Sequence, residues 1–252
     1  MNLDYIEIIT KNHERRTKNQ DHMTLRDRKF FLFILSILLQ LLFHSCTSEH
    51  QDAKLIYPEH WWTPVYDENK PAWEILPQEA LPGEVILSKR NELGLLSNFA
   101  PTPFEYRGKR YASLEGFWQM MKYPEGPEDP RSLFPGIEWK YTRDQVSQLA
   151  SFEAKRAGDL AEENMRRIGI TWVTFEGRKF EYRSEIPGEH FRLIVEAMRE
   201  KVAQNPDVKR VLLSTGNLIL RPDHHQDPES PPEWRYYEIL TQIRDELKRE
   251  NK

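Results

Sequence analysis

The sequence predicts an α+β fold, a mostly helical single domain with a small antiparallel sheet. Three observations predict it. Short segments flank Arg107-Gly108 and again Glu176-Gly177, the pattern of tight β-hairpins. Phe191, Ile194, Val195 and Met198 recur at i, i+3, i+4 and i+7, the period of an amphipathic helix. Helices and hairpins follow one another without the strand–helix–strand rhythm that builds a parallel sheet.

Taken in order, residues 84–88 (Glu-Val-Ile-Leu-Ser) read as a strand, and Phe104–Tyr106 with Lys109–Tyr111 as the first hairpin. Ser113 can cap a helix running to about Tyr123. Residues 124–135 hold Pro, Gly and Asp and form a loop. Thr142 and Gln145 have capping-box spacing for a helix to about 149, and a second helix spans 152–168. Residues 171–175 and 179–183 form the second hairpin. A long helix spans 188–204, and a short one spans 207–213 and is broken by Thr215-Gly216. Residues 218–220 return as a strand. Pro231-Pro232 open the last helix, with Trp234, Tyr237, Ile239, Leu240, Ile243 and Leu247 inward.

The 252 residues are 30% charged and 38% apolar, the balance of a globular protein and not of a disordered one. The net charge is −4. Before and including Cys46 there are 7 basic and 5 acidic residues, which leaves 29 basic against 35 acidic in the rest. Non-specific nucleic-acid binding, which needs a surface that neutralises phosphates, is not expected on that ground. Cys46 is the sole cysteine, so the sequence implies no intrachain disulfide and no multi-cysteine zinc site.

The first 46 residues read as an address. Arg26, Arg28 and Lys29 precede an uncharged apolar run over residues 30–43, and His44-Ser45-Cys46 follow. A basic start, an apolar stretch of about 7–15 residues and a small residue before the cut describe a secretory signal, too short for a membrane span of about 20 residues. With the cysteine at the cut, the segment resembles a bacterial lipoprotein signal. It implies a lipid anchor at Cys46 and a place on the cell envelope, or the cytoplasm if the segment is not a signal. Met23 would give a signal of ordinary length. Residues 47–80, rich in Pro and acidic residues, read as a stiff tether, with Trp61, Trp62 and Trp73 available to pack it onto the domain at 81–252.

The chemistry concentrates in two stretches, Leu96-Ser97-Asn98-Phe99-Ala100-Pro101 and Ser113-Leu114-Glu115-Gly116-Phe117-Trp118-Gln119-Met120-Met121-Lys122. On a helix, Glu115, Trp118, Gln119 and Lys122 share one face. That face carries a carboxylate, an aromatic plate, an amide and an ammonium, which suits a nucleoside. From the helix pattern alone, a surface helix with a Glu–Lys face and Trp118 in the core accounts for it better. His224-His225 beside Asp223 and Asp227 invite a metal, but adjacent residues of a strand point to opposite faces, and a surface loop accounts for them better. No metal and no cofactor is implied.

These stretches resemble the signature of the NADAR (YbiA-like) family of N-glycosidases. So do Ala154-Lys155-Arg156-Ala157-Gly158, then Met198, Lys201 and Asn205-Pro206, then Leu212-Leu213-Ser214-Thr215-Gly216, and Ile243-Arg244. The resemblance covers about residues 84–247. It implies an N-glycosidase acting on a nucleotide-like or ADP-ribosylated substrate, with ribosylamino-pyrimidine intermediates of riboflavin synthesis among the family's substrates. Glu115 matches the family's catalytic glutamate and Asp223 is the nearest match to its second acid. The family's Trp-Gly pair after that acid is absent, and Trp172 and Tyr182 match its further tryptophan poorly. Trp118 or Phe99 is expected to hold the base, with Asn98 and Gln119 at the substrate. Lys89, Arg90, Lys122, Arg183 or the amides near Thr215 and Gly216 are expected at phosphate. A weak nucleotide sensor and a purely structural envelope lipoprotein are the alternatives.

Overall fold

The computed structural model describes residues 57–250 apart from Arg183 and Pro228. The signal segment, Cys46, residues 47–56 and Arg183 lie outside the described residues. The fold is α+β. Its strands are β1 (Glu84–Ile86), β2 (Phe104–Tyr106), β3 (Lys109–Tyr111), β4 (Trp172–Phe175), β5 (Arg178–Glu181) and β6 (Ile219–Arg221). Its α-helices are α1 (Leu114–Met120), α2 (Arg143–Ser147), α3 (Ser151–Arg167), α4 (Glu189–Gln204), α5 (Pro206–Ser214) and α6 (Tyr236–Glu250).

Local chemistry sets most of these boundaries. The Ser113 hydroxyl accepts the Gly116 N–H at 2.9 Å and donates to Leu149 O at 2.8 Å, so it caps α1 and ties it to the end of α2. Thr142 and Gln145 close the expected capping box, with Thr142 N–H donating to Gln145 Oε1 at 2.8 Å. Both hairpin turns place their two central residues at positive φ: Arg107 at 49° and Gly108 at 74°, Glu176 at 51° and Gly177 at 72°. This mirror-image turn matches the twist of the flanking strands.

The strands do not form one small antiparallel sheet. They form three two-stranded pieces: the two hairpins and a parallel pair of β1 with β6, in register Val85 to Leu220. Pairing across more than a hundred residues is made by the helices between them, and no local pattern reports it.

Every residue of α1 is buried, with Leu114 and Phe117 at the centre of the core. Phe104, Tyr106, Tyr111 and Phe175 from the two hairpins pack around Phe117 at 4.9–6.2 Å between ring centroids. Each such buried ring contributes about 1.5–3 kcal/mol through apolar area removed from water. The 124–135 loop is fastened by the fully buried Arg131, which holds Asp129 through two nitrogens and donates to Thr174 Oγ1 and to the Met121 and Lys122 carbonyls.

The segment read as a tether is, from Tyr57 onward, part of this body. Trp61 is buried and its indole N–H donates to Glu92 at 2.7 Å, and Trp62 donates to Glu84 O at 2.9 Å. Further on, Glu74 bridges to His224 and Ile75 N–H donates to Asp223 O at 2.9 Å, so residues 74–75 run antiparallel beside the stretch that follows β6.

Candidate functional site

Glu115 stands in the first turn of α1, buried to 5% exposure. Its backbone N–H donates to Asn98 O at 2.9 Å, which docks the helix start on the 97–101 loop. One turn on, Gln119 Nε2 donates to Glu115 Oε1 at 2.8 Å. Burial pushes the Glu115 carboxyl above its ordinary range, against the Gln119 hydrogen bond and the fields of Lys122 and Lys155. One further turn on, the Lys122 ammonium is buried, bonded to Glu162 at 2.7 Å and 4.8 Å from the centre of the Tyr182 ring. Burial would lower the Lys122 pKa. Tyr182 and Glu162 outweigh burial and hold it above the usual lysine value. The expected Glu115–Gln119–Lys122 face therefore exists, but it is walled by α3 and not open to bulk water.

Gly158 of α3 is what lets that wall approach. Gln119 Oε1 lies against its backbone, where a Cβ would stand only 1.8 Å away. Gln119 Oε1 and Asn98 Oδ1 are both buried without a hydrogen-bond partner. Two such unsatisfied acceptors, one on the residue that binds the Glu115 carboxyl and one on the residue whose carbonyl takes its N–H, are costly.

The 97–103 loop is clamped from α4. Lys201 is buried and donates to Ser97 O at 2.6 Å, and Asn205 Nδ2 donates to Pro103 O at 3.0 Å. Burial alone lowers the Lys201 pKa to about 7. Ser151, at the start of α3, sits at φ 53° and points both its N–H and its hydroxyl at Phe99 O, at 2.9 and 3.1 Å. A non-glycine residue in that region costs on the order of 1 kcal/mol, here spent on holding Phe99.

Asp223, just beyond β6, is 1% exposed. Lys89 Nζ contacts its Oδ2 at 2.5 Å and His224 Nδ1 its Oδ1 at 3.2 Å. Burial would raise the Asp223 pKa, but the His224 hydrogen bond and the Lys89 ammonium outweigh it and keep the carboxyl below its usual range. The same ammonium lies 5.3 Å from the Phe99 ring centre and 5.9 Å from that of Trp73. Phe99 meets Phe152 edge-on at 5.2 Å. Lys89 thus touches both Asp223 and Phe99, and Phe99 follows Asn98, whose carbonyl accepts the Glu115 N–H.

Several residues expected at the substrate are engaged elsewhere. Trp118 is a core residue, its indole N–H 3.3 Å from the Tyr182 hydroxyl and its ring against buried His190, so it offers no open plate. Arg90 is bound through two nitrogens to Glu74 and also to Asp67, so it fastens residues 67–74 instead of facing phosphate. Thr215 N–H and Gly216 N–H donate to Leu212 O and Leu213 O, and the Thr215 hydroxyl joins Leu212 O to Arg244. That block closes α5 and leaves no amide for a phosphate. His224 stacks on Tyr236, and among the described residues no three His, Cys, Asp or Glu side chains gather as metal ligands.

Two clefts, of about 830 and 520 Å³, lie elsewhere, beside Tyr111, Trp139 and Glu176 and beside the 125–130 loop. Their lining includes neither Glu115 nor Asp223. Volume alone makes no chemistry, and a pair of buried acids with opposed tuning is the stronger mark of a site.

No protein-family model matches the chain, and no curated protein matches it in sequence. The chain is similar in fold to the E. coli protein YbiA, known from an NMR structure. The two are 20% identical, the match covers 66% of this chain and 86% of YbiA, and the TM-score is 0.41. This is a likeness of general architecture, and the chemistry of the site rests on this chain's own side chains. Sequence reasoning missed Trp73, Gly158, Glu162 and Lys201 as parts of the site. For Gly158 a signal was present, since a glycine in mid-helix is costly unless something must come close.

Proposed function

We propose that the domain hydrolyses an N-glycosidic bond of a nucleotide-like or ADP-ribosylated substrate. The observation that carries this reading is a pair of buried carboxyls in different settings, Glu115 bonded to Gln119 at 2.8 Å and Asp223 to the Lys89 ammonium at 2.5 Å, with burial raising the first and its partners lowering the second. Glycoside cleavage needs such a pair, one acid protonated and one ionised. Glu115 donates a proton to the departing base nitrogen as the C1′–N bond breaks and its electron pair leaves with the base. Asp223, held ionised by Lys89, stabilises the positive charge that develops on the sugar and takes a proton from the water that adds at C1′. The products are the free base and the sugar hemiacetal. The resemblance over residues 84–247 supports the same reaction class and matches Glu115 to the family's glutamate, with Asp223 the nearest match to its second acid.

Incubating the protein with a panel of nucleotide N-glycosides, with mass-spectrometric detection of free base, tests this. Glu115→Gln is expected to keep its fold and lose base release by about 10²–10⁴-fold, the range of a general acid. Release by folded Glu115→Gln at the wild-type rate removes Glu115 from the mechanism. A second reading, a nucleotide sensor without turnover, is favoured by one contact: the Lys89–Asp223 pair, which neutralises the ionised acid. Binding without base release supports the sensor. We further propose, from the sequence signature alone, that Cys46 carries a lipid that holds the domain on the cell envelope. Loss of lipid labelling in Cys46→Ser is the expected result, and an unlabelled wild-type chain refutes it. Among the described residues no helix is long and apolar enough to cross a membrane.

A further inference from the structure

Trp73 precedes every residue that carries the resemblance, yet it sits at the site. Its neighbours are fixed to the second acid by backbone: Glu74 bridges to His224 and Ile75 donates to Asp223 O. Glu74 is in turn gripped by the Arg90 guanidinium at 2.6 and 2.7 Å. A backbone bridge and an ion pair on the next residue thus locate an indole that is itself 43% exposed. Phe152, 47% exposed, stands 6.4 Å from it at a tilt of 51° and packs on Phe99. Above this apolar floor lies Lys89, 29% exposed along its side chain and bonded to Asp223. Exposed aromatic rings held rigidly beside an ammonium present a π-face and a positive charge together. A planar heteroaromatic base with an attached anionic group complements both.

We propose that Trp73 is the base-stacking residue of this site, in place of Trp118, and that the segment before residue 81 is thereby an integral part of it. The ligand class is a glycoside of a planar heteroaromatic base, recognised by its ring and not by its sugar phosphate alone. This rests on the nucleotide-like substrate of the proposed function and adds which residue reads the base. Arg90 and Glu74 act as positioning residues for Trp73.

The test is calorimetric binding of AMP, GMP, CMP, UMP and nicotinamide mononucleotide, with ribose 5-phosphate as the ligand that lacks a base. The proteins are the wild type, Trp73→Ala and Trp73→Phe. At least one nucleotide is expected to bind the wild type more tightly than ribose 5-phosphate does. Trp73→Ala is expected to weaken that nucleotide about tenfold or more, as loss of one base–aromatic stack does, while Trp73→Phe stays within about threefold. Ribose 5-phosphate binding should not change, and an unaltered thermal melt should show that the half-exposed indole is not needed for folding. Nucleotide affinity in Trp73→Ala equal to wild type overturns the proposal, as does a wild type that prefers none of the five to ribose 5-phosphate. Base release that depends on Glu115 but not on Trp73 leaves the hydrolase standing and removes only this inference. Trp73-dependent binding without base release does the reverse.

Discussion

Replacing Gly158 by alanine sets two physical effects against each other. Within a 17-residue helix such as α3, alanine is the better helix former by about 1 kcal/mol, so propensity alone predicts stabilisation. The added Cβ, however, would stand 1.8 Å from Gln119 Oε1, 2.2 Å from its Cδ and 2.8 Å from its Cγ. Gln119 is 5% exposed and has no solvent to retreat into. Moving it breaks the 2.8 Å hydrogen bond to Glu115, a bond to a protonated carboxyl worth about 0.5–1.5 kcal/mol. Overpacking the α1–α3 contact costs about 1–3 kcal/mol more. The net expectation for Gly158→Ala is a loss of about 0.5–3.5 kcal/mol after the propensity gain is subtracted. It should appear in urea unfolding as a lower midpoint with an unchanged slope. In a Gln119→Ala background the space is open, and the same substitution should become neutral or stabilising. This non-additivity is what contact between two residues produces. A Gly158→Ala protein at least as stable as the wild type would refute the reasoning, because the close approach would then have no energetic content.

Two further predictions concern pH. The folded-state pKa of Glu115 lies above its ordinary value of 4.5, so its contribution to stability is present below that value and lost as pH rises through the folded pKa. Glu115→Gln should therefore melt higher than the wild type at pH 7, with the gap closing towards pH 4; a gap that does not depend on pH contradicts the assignment. Lys201 titrates near 7 in the folded protein against 10.5 for an ordinary lysine, so between those values the unfolded chain holds the extra proton and stability rises with pH. The excess stability of the wild type over Lys201→Met should grow from pH 7 to 10 in urea unfolding, by at most about 1.4 kcal/mol per pH unit, and a constant difference would place a charged lysine there instead.

Signals within one turn or one hairpin were legible in the sequence because the physics behind them is local. The Ser113 cap, the Thr142–Gln145 box, the two Gly-centred turns and the common face of Glu115, Gln119 and Lys122 all follow from backbone sterics and helical period. Composition and the apolar run after Lys29 likewise carry the address expected for the chain's start without any fold. Tertiary structure alone decided what faces that helix. Trp118 and Glu115 share a face and a similar burial, yet one meets a tyrosine hydroxyl and a histidine ring while the other meets the Gln119 amide. Arg90 and Lys89 are neighbours in sequence, and only packing sends one to Glu74 and the other to Asp223. The pairing of β1 with β6, and the return of residues 73–75 to Asp223, join segments more than a hundred residues apart. Their partners are selected by the global balance of burial and chain entropy, which no window of neighbouring residues contains.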